Sequence, residues 1–273
     1  MIETEHDGVT RYTIRQSWLN KYLTMCPASA MWDVIRFPNG TPPSTATAIG
    51  TAMHAGIEVT LLGGDRTAVI DEMTEAWTTE RDTPGFKRDP AIPDSQAIQM
   101  AARCYKAWEN EIYPTLEVTD NMYVEHAFNL KVDERDGEEL WIKGTWDAMP
   151  GVLHDWKTGS NPSHYSTNEL KRKVQATLYT LAAAKLGLVD PTRPVPFKYG
   201  VVFKRKTMDC PTQIFTTTRT PQDWGFLVWQ MWKVVDAWKH QIEILNNQGW
   251  WCSTKFCEHY NGCAGSLQPV PDL

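Results

Sequence analysis

Residues 144–159 read Gly-Thr-Trp-Asp-Ala-Met-Pro-Gly-Val-Leu-His-Asp-Trp-Lys-Thr-Gly. Pro150-Gly151 is a turn dipeptide. The stretches on either side, 140–149 and 152–157, read as the two strands of a hairpin. Asp147 and Asp155 then lie on adjacent strands, where two carboxylates can hold a hard cation such as Mg²⁺ through oxygen. Asp155 and Lys157 stand two residues apart and share a strand face. An ammonium beside a cation-held water orients it and stabilises a pentavalent phosphate. The combination suits hydrolysis of a phosphodiester.

The register sets a condition on this reading. A two-residue turn at Pro150-Gly151 pairs Asp147 with His154 and sends Asp147 and Asp155 to opposite faces. A shared metal requires an odd-length turn, such as Met149-Pro150-Gly151, or a bulge. Asp147 then pairs with Leu153, and Asp155 lies diagonally across on the same face. Glu169-Leu170-Lys171 has the same carboxylate-x-lysine form but falls in a strongly helical segment, so it serves as an internal decoy.

Outward from the hairpin, 121–131 reads as a strand followed by a charged turn at Asp133–Glu139. Residues 164–186 form the clearest helix, with Leu170, Val174, Leu178 and Leu181 spaced 4, 4 and 3 and Gly187 at the end. Residues 197–204 and 212–219 read as strands. Residues 222–246 read as a long helix with Trp224, Leu227, Met231, Val235, Trp238, Ile242 and Leu245 on one face. Before Pro114 the helical segments are 13–36, broken near Pro27, then 51–62, 66–80 and 95–112. The order predicts an α/β domain around a mixed sheet. It is a single domain over 1–273: a mainly helical part (1–114), the sheet core (115–220), then a long helix and cysteine-rich tail (221–273).

Composition narrows the function classes. The chain has 273 residues with 27 Lys+Arg against 33 Asp+Glu, a net charge of −6. A general cationic coat for nucleic acid is absent, so such binding must use a local groove. No apolar run approaches a membrane span. The acidic start Met1-Ile2-Glu3-Thr4-Glu5 lacks an apolar leader, so the cytoplasm is the expected compartment. In a reducing compartment clustered thiols more often bind metal than pair. Cys252, Cys257 and Cys263 lie close together near the C-terminus, one ligand short of a closed four-thiolate site.

Three features join the hairpin. Gly50-x-x-x-His54 sits upstream, with His54 on a short helix and Glu58 one turn later. Glu125 lies on the strand before the hairpin. Gln175-x-x-x-Tyr179 lies on the helix after it, on one helical face. In this order, with Gly144-x-x-Asp147 and Asp155-x-Lys157-Thr158-Gly159, the motifs resemble the RecB-type branch of the PD-(D/E)XK nucleases. Tyr22-x-x-x-Cys26-Pro27 near the start and the three tail cysteines resemble its iron–sulfur members. Those include the CRISPR-associated RecB-like exonucleases, their phage-encoded relatives and the AddB nuclease domain. The resemblance spans residues ~14–265, nearly the whole chain.

The resemblance implies a restriction-endonuclease-like mixed sheet and a metal-dependent DNA exonuclease preferring single strands or strand ends. His54, Asp147 and Asp155 would ligate Mg²⁺ or Mn²⁺, with the Trp156 carbonyl as a further ligand. Lys157 would be the catalytic lysine, with Gln175 and Tyr179 positioning the DNA or the catalytic loop. Cys26, Cys252, Cys257 and Cys263 would hold a 4Fe-4S cluster. The tail departs from many relatives, whose first cysteine gap holds only two residues; here it holds four. Cys104 and Cys210 match nothing in the pattern and read as small apolar residues. Trp250 and Trp251 are expected to shield the cluster, and Lys171-Arg172-Lys173 and Lys204-Arg205-Lys206 are candidate backbone contacts. Some relatives form rings, so the resemblance admits a homo-oligomer. No Walker-type phosphate loop occurs, so a helicase or recombination motor would be a partner chain. Two other readings are an inactive member that binds DNA or a partner, and a zinc-stapled binding module.

Overall fold

The computed structural model describes residues 1–38, 40–119, 122–205 and 209–263. Two Asp-Gly turns organise its sheet. Asp7-Gly8 (φ 51° and 78°) and Asp136-Gly137 (φ 54° and 77°) hold both residues in the left-handed region. That is the type I′ geometry of a two-residue hairpin. The first turn joins β1 (Ile2–His6) to β2 (Val9–Arg15), and the second joins β3 (Tyr123–Arg135) to β4 (Glu138–Met149). β5 (Leu153–Gly159), β6 (Val195–Phe203) and β7 (Thr212–Arg219) complete seven strands in the order β1-β2-β4-β5-β6-β7, with β3 also on β4. β2–β4 and β5–β6 are parallel and the other pairs antiparallel, so the sheet is mixed as expected.

β4 decides where the sheet opens. β3 follows it from Glu138 to Met149 along one edge, so β2 and β5 must share the other. β2 covers Glu138–Lys143, and β5 joins through one pair, Ala148 with His154. Between them, residues 144–147 have no strand partner on that edge among the described residues.

Helices cover both faces. α1 (Gln16–Thr24), α2 (Pro27–Arg36), α6 (Thr167–Arg172), α7 (Val174–Lys185) and α8 (Pro221–Lys239) pack with Ile142, Trp146, Phe197 and Tyr199. α3 (Thr45–Leu61), α4 (Arg66–Asp82) and α5 (Asp94–Glu111) form a second core with Ala148, Trp156 and Val202. Starts of helices carry the expected chemistry: Ser44 with Thr47 and Thr220 with Asp223 form capping boxes.

Several elements differ from the sequence expectation. β1 was not expected, and the charged turn read at Asp133–Glu139 narrows to Asp136-Gly137, because β3 and β4 pair right up to it. Residues 13–15 are strand, not helix, because Tyr12 and Ile14 alternate inward on β2. The predicted helix 164–186 is broken at Lys173, whose ψ of 109° is extended. Here the buried Arg219 donates to the Leu170 and Lys173 carbonyls at 2.7 and 3.1 Å, replacing helical bonds. The predicted helix 222–246 stops at Lys239. Gln241 turns left-handed (φ 52°) and Ile242 N–H reaches back to the Ala237 carbonyl at 2.9 Å, a Schellman end. Ile242 and Leu245 are consequently exposed instead of continuing the apolar face.

Candidate active site

The Asp147–Asp155 pair sits at the split beside β4. Ala148 pairs with His154, leaving residues 149–153 as an odd-length connection. The same register brings Asp147 level with Asp155. The parity is the one a shared metal requires, while the turn is longer than Met149-Pro150-Gly151 and the pairing of Asp147 with Leu153 is not formed. Asp147 Oδ2 accepts the Trp156 backbone N–H at 2.6 Å.

α3 delivers His54 to this point. A carbonyl can only accept, so His54 Nε2 donates to the Trp156 carbonyl at 2.8 Å. That fixes the ring. Nδ1 then faces Asp147 Oδ2 at 3.6 Å and Glu125 Oε1 at 3.9 Å. Ligand atoms of His54, Glu125 and Asp147 all lie within 4.8 Å of one another. Glu125 reaches in from a strained backbone, φ 43°. The Trp156 carbonyl, expected as a ligand itself, is engaged by His54 and keeps a second lone pair.

Lys157 and Gln175 frame the other carboxylate. Lys157 Nζ lies 2.6 Å from Asp155 Oδ2. Gln175 Nε2 donates to Asp155 Oδ1 at 2.7 Å and lies 3.4 Å from the Tyr179 hydroxyl. The break before α7 aims Gln175 at the strand. Asp155 is fully buried, and its Oδ2 has the ammonium beside it but no aligned hydrogen bond.

Electrostatics follow from burial and proximity. Burial pushes Asp155 up to about 6, against the opposing pull of Lys157. Burial likewise raises Asp147, against His54 and Lys157. For His54 burial opposes the charge, but the attraction of Asp147 and Glu125 outweighs it and lifts the ring to about 9. Lys157 is held above its ordinary range because Asp155 and Asp147 outweigh its burial. Three carboxylates thus converge on two cationic side chains. Converging buried oxygens, an imidazole aimed at them and an Asp155 oxygen without an aligned hydrogen bond fit a hard divalent cation.

Two glycines hold the site's shape. A Cβ on Gly144 would stand 2.8 Å from the Phe128 ring and 3.2 Å from Tyr179. On Gly200 of β6 it would stand 2.6 Å from the Trp156 ring. Gly200 and Arg219 belong to no motif, and their roles arise from side chains that meet them across the fold. The decoy is excluded from the site: Glu169 and Lys171 are exposed on α6. Lys173 lies over the Tyr165 ring at 4.8 Å. Lys204 reaches the Ala46 carbonyl at 3.4 Å, and Lys206 lies outside the described residues.

Cys26, Cys252, Cys257 and Cys263 line one pocket between α2 and the tail. Burial and the three neighbouring sulfurs raise the Cys252 thiol. Trp251 lines the cavity, but Trp250 is 67% exposed and shields nothing there, because it packs outward on Phe256. His259 pairs with Asp33 at 2.9 Å instead of facing the sulfurs. Cys104 and Cys210 touch each other in the second core, 3.9 Å apart.

Among solved structures, a Eubacterium rectale protein provisionally designated an exonuclease shares the fold with a TM-score of 0.56 at 12% identity. The match covers 95% of this chain and 91% of that one. SSO0001 aligns over 87% of this chain and 93% of its own at 11% identity, but its TM-score of 0.37 carries no argument. No curated protein matches the chain. The sequence pattern of the PD-(D/E)XK nuclease superfamily matches residues 16–264, and with it the buried carboxylates, the imidazole and the lysine gathered at one split in a mixed sheet. The chain belongs to the PD-(D/E)XK nuclease superfamily.

Proposed function

We propose that the protein is a divalent-metal-dependent deoxyribonuclease of the RecB-like iron–sulfur branch. It acts as an exonuclease on single-stranded DNA or strand ends. The observation that supports this most is the convergence of His54, Glu125 and Asp147 beside the Asp155–Lys157 pair. His54, Asp147, Asp155 and the Trp156 carbonyl would hold Mg²⁺ or Mn²⁺, and Glu125 joins them. When bound, the cation supplies Lewis-acid charge at the scissile phosphate. Lys157 keeps its proton and places positive charge where a phosphate oxygen becomes more negative. Gln175 holds Asp155 in orientation, and Tyr179 backs Gln175.

The test is digestion of 5′- and 3′-labelled single- and double-stranded DNA with Mg²⁺ or Mn²⁺. Single strands should shorten from one end and EDTA should stop the reaction. Asp155→Ala and Lys157→Ala should each lose about a thousandfold in rate while remaining folded. Near-normal Mn²⁺-dependent cleavage in either variant would overturn the site. Efficient cutting of circular DNA would overturn the exonuclease assignment.

The cysteine cavity supports a 4Fe-4S cluster held by Cys26, Cys252, Cys257 and Cys263. Four thiols from chain segments far apart in sequence come to one pocket, a donor set that an iron–sulfur cluster takes. Brown colour, absorbance near ~400 nm and bound iron are the expected observations. Stoichiometric zinc without iron would contradict the cluster.

A further inference from the structure

The unpaired edge of β4 opens into a second groove that the carboxylate site does not use. Arg15, Gln16 and Ser17, where β2 passes into α1, form one wall, and Lys143, Thr145 and Tyr179 line the rest. No carboxylate lines it. Arg15 and Lys143 are register partners on neighbouring strands, both exposed. Like charges side by side on a sheet repel. Among the described residues neither has an ion-pair partner within 4.0 Å. Arg15 and Ser17 also border the next depression, where Glu3 and Asp33 are engaged by Trp238 and by Lys21 and His259 respectively. In a chain of net charge −6, an acid-free groove with two unpaired cations is a local violation that an anionic ligand resolves.

Its position specifies that ligand. Lys143 and Asp147 are four residues apart on β4, roughly 13 Å at the strand rise. No strand occupies the edge between them. Tyr179 closes the groove on one side and approaches Gln175 on the other, and Gln175 binds Asp155. A polyanion that entered the carboxylate site could therefore continue along this edge to the two cations. We propose that the groove binds backbone phosphates of the substrate strand, roughly two to four nucleotides from the scissile one. Arg15 and Lys143 are the phosphate contacts, and Gln16 and Ser17 the neighbouring hydrogen-bonding groups. The proposal rests on the nuclease reading for the identity of the strand, but its test does not require cleavage.

The experiment is fluorescence-anisotropy binding of a labelled single-stranded oligonucleotide in EDTA, across a salt series. The doubly substituted Arg15→Gln/Lys143→Gln protein should bind at least about tenfold more weakly than wild type. Its dependence of log K on log salt should be shallower by about two phosphate contacts. Lys143→Glu alone should weaken binding more than Lys143→Gln, and serves if the double variant fails to fold. Lys185→Gln, at a distant exposed position, should leave both quantities unchanged. Mn²⁺-dependent hydrolysis of thymidine 5′-(4-nitrophenyl phosphate), which has no flanking phosphates, should be unaltered in the double variant. Wild-type affinity and slope in the variants would overturn the assignment, as would equal loss on the small diester. A wild type that binds through this groove but cleaves no DNA would sink the nuclease reading and leave the groove assignment standing.

Discussion

His54 carries its proton against its own burial, and this gives the metal-free protein a pH signature. The folded ring titrates near 9 and an ordinary imidazole near 6.5. Its contribution to stability is therefore fully present below pH 6.5 and is lost as pH rises through 9, worth about 3 kcal/mol at most. Denaturant melts in EDTA from pH 6.5 to 9.5 should show this loss, and Asp147→Asn should flatten it by removing the main attraction. A flat wild-type profile would show that His54 is neutral there. A second residue-scale prediction concerns Gly200. Its added Cβ would meet the Trp156 indole, which is 1% exposed and packed edge-on against Trp108. Gly200→Ala should cost about 1–3 kcal/mol of stability. It should also slow cleavage, because Trp156 supplies both the N–H to Asp147 and the carbonyl to His54.

The break between α6 and α7 is set from outside the helix. Arg219 is 2% exposed and its guanidinium also donates to Thr177 Oγ1 at 2.6 Å. Arg219→Met keeps the length but removes the buried donors to the Leu170 and Lys173 carbonyls, leaving the Leu170 oxygen the Lys173 N–H at 3.3 Å, at a cost of about 2–4 kcal/mol. It should also lower kcat, because the break aims Gln175 at Asp155. A variant with wild-type kcat and a lower melting temperature would limit Arg219 to a structural role. The apolar spacing of Leu170, Val174, Leu178 and Leu181 runs straight through this break, and all four are buried on either side of it, so the spacing does not register the interruption. The first hairpin, in contrast, carries a local signal that the sequence expectation passed over. Asp7-Gly8 between alternating residues is a strong local turn signal. Ile14 fits both the strand alternation and the helical spacing that extends to Trp18, which is how the helix reading reached too far back.

At the scale of the molecule, the cysteine cavity joins chain segments that 225 residues separate, Cys26 and Cys252. A cluster bound there would restrict that loop in the unfolded chain, nominally worth ~5 kcal/mol by analogy with a disulfide. The tail is otherwise held to α2 by polar contacts: Ala28 N–H to the Ile244 carbonyl, Asn246 to the Met25 carbonyl and Arg36 to the Glu258 carbonyl. Cys26→Ala should therefore behave like Cys257→Ala, losing iron and melting at lower temperature. Cys104→Ala should keep its iron. Iron content and melting temperature across these variants decide the matter, and a brown, stable Cys26→Ala protein would show that another residue is the fourth ligand.

The sequence by itself determined the mixed α/β class, the candidate reactive groups and the condition that a shared metal sets on the Pro150-Gly151 connection; the register of β4 and β5 met that condition. These depend on local rules: residue chemistry, the two-residue alternation of strands and turn composition. Only the tertiary structure decided that Glu125 stands with His54 and Asp147, that Arg219 breaks the helix, and that β2 and β5 leave an open edge on β4. His54 and Trp156 are 102 positions apart and meet through one hydrogen bond. Such meetings depend on how two helical layers pack on the sheet, and no local periodicity encodes that packing.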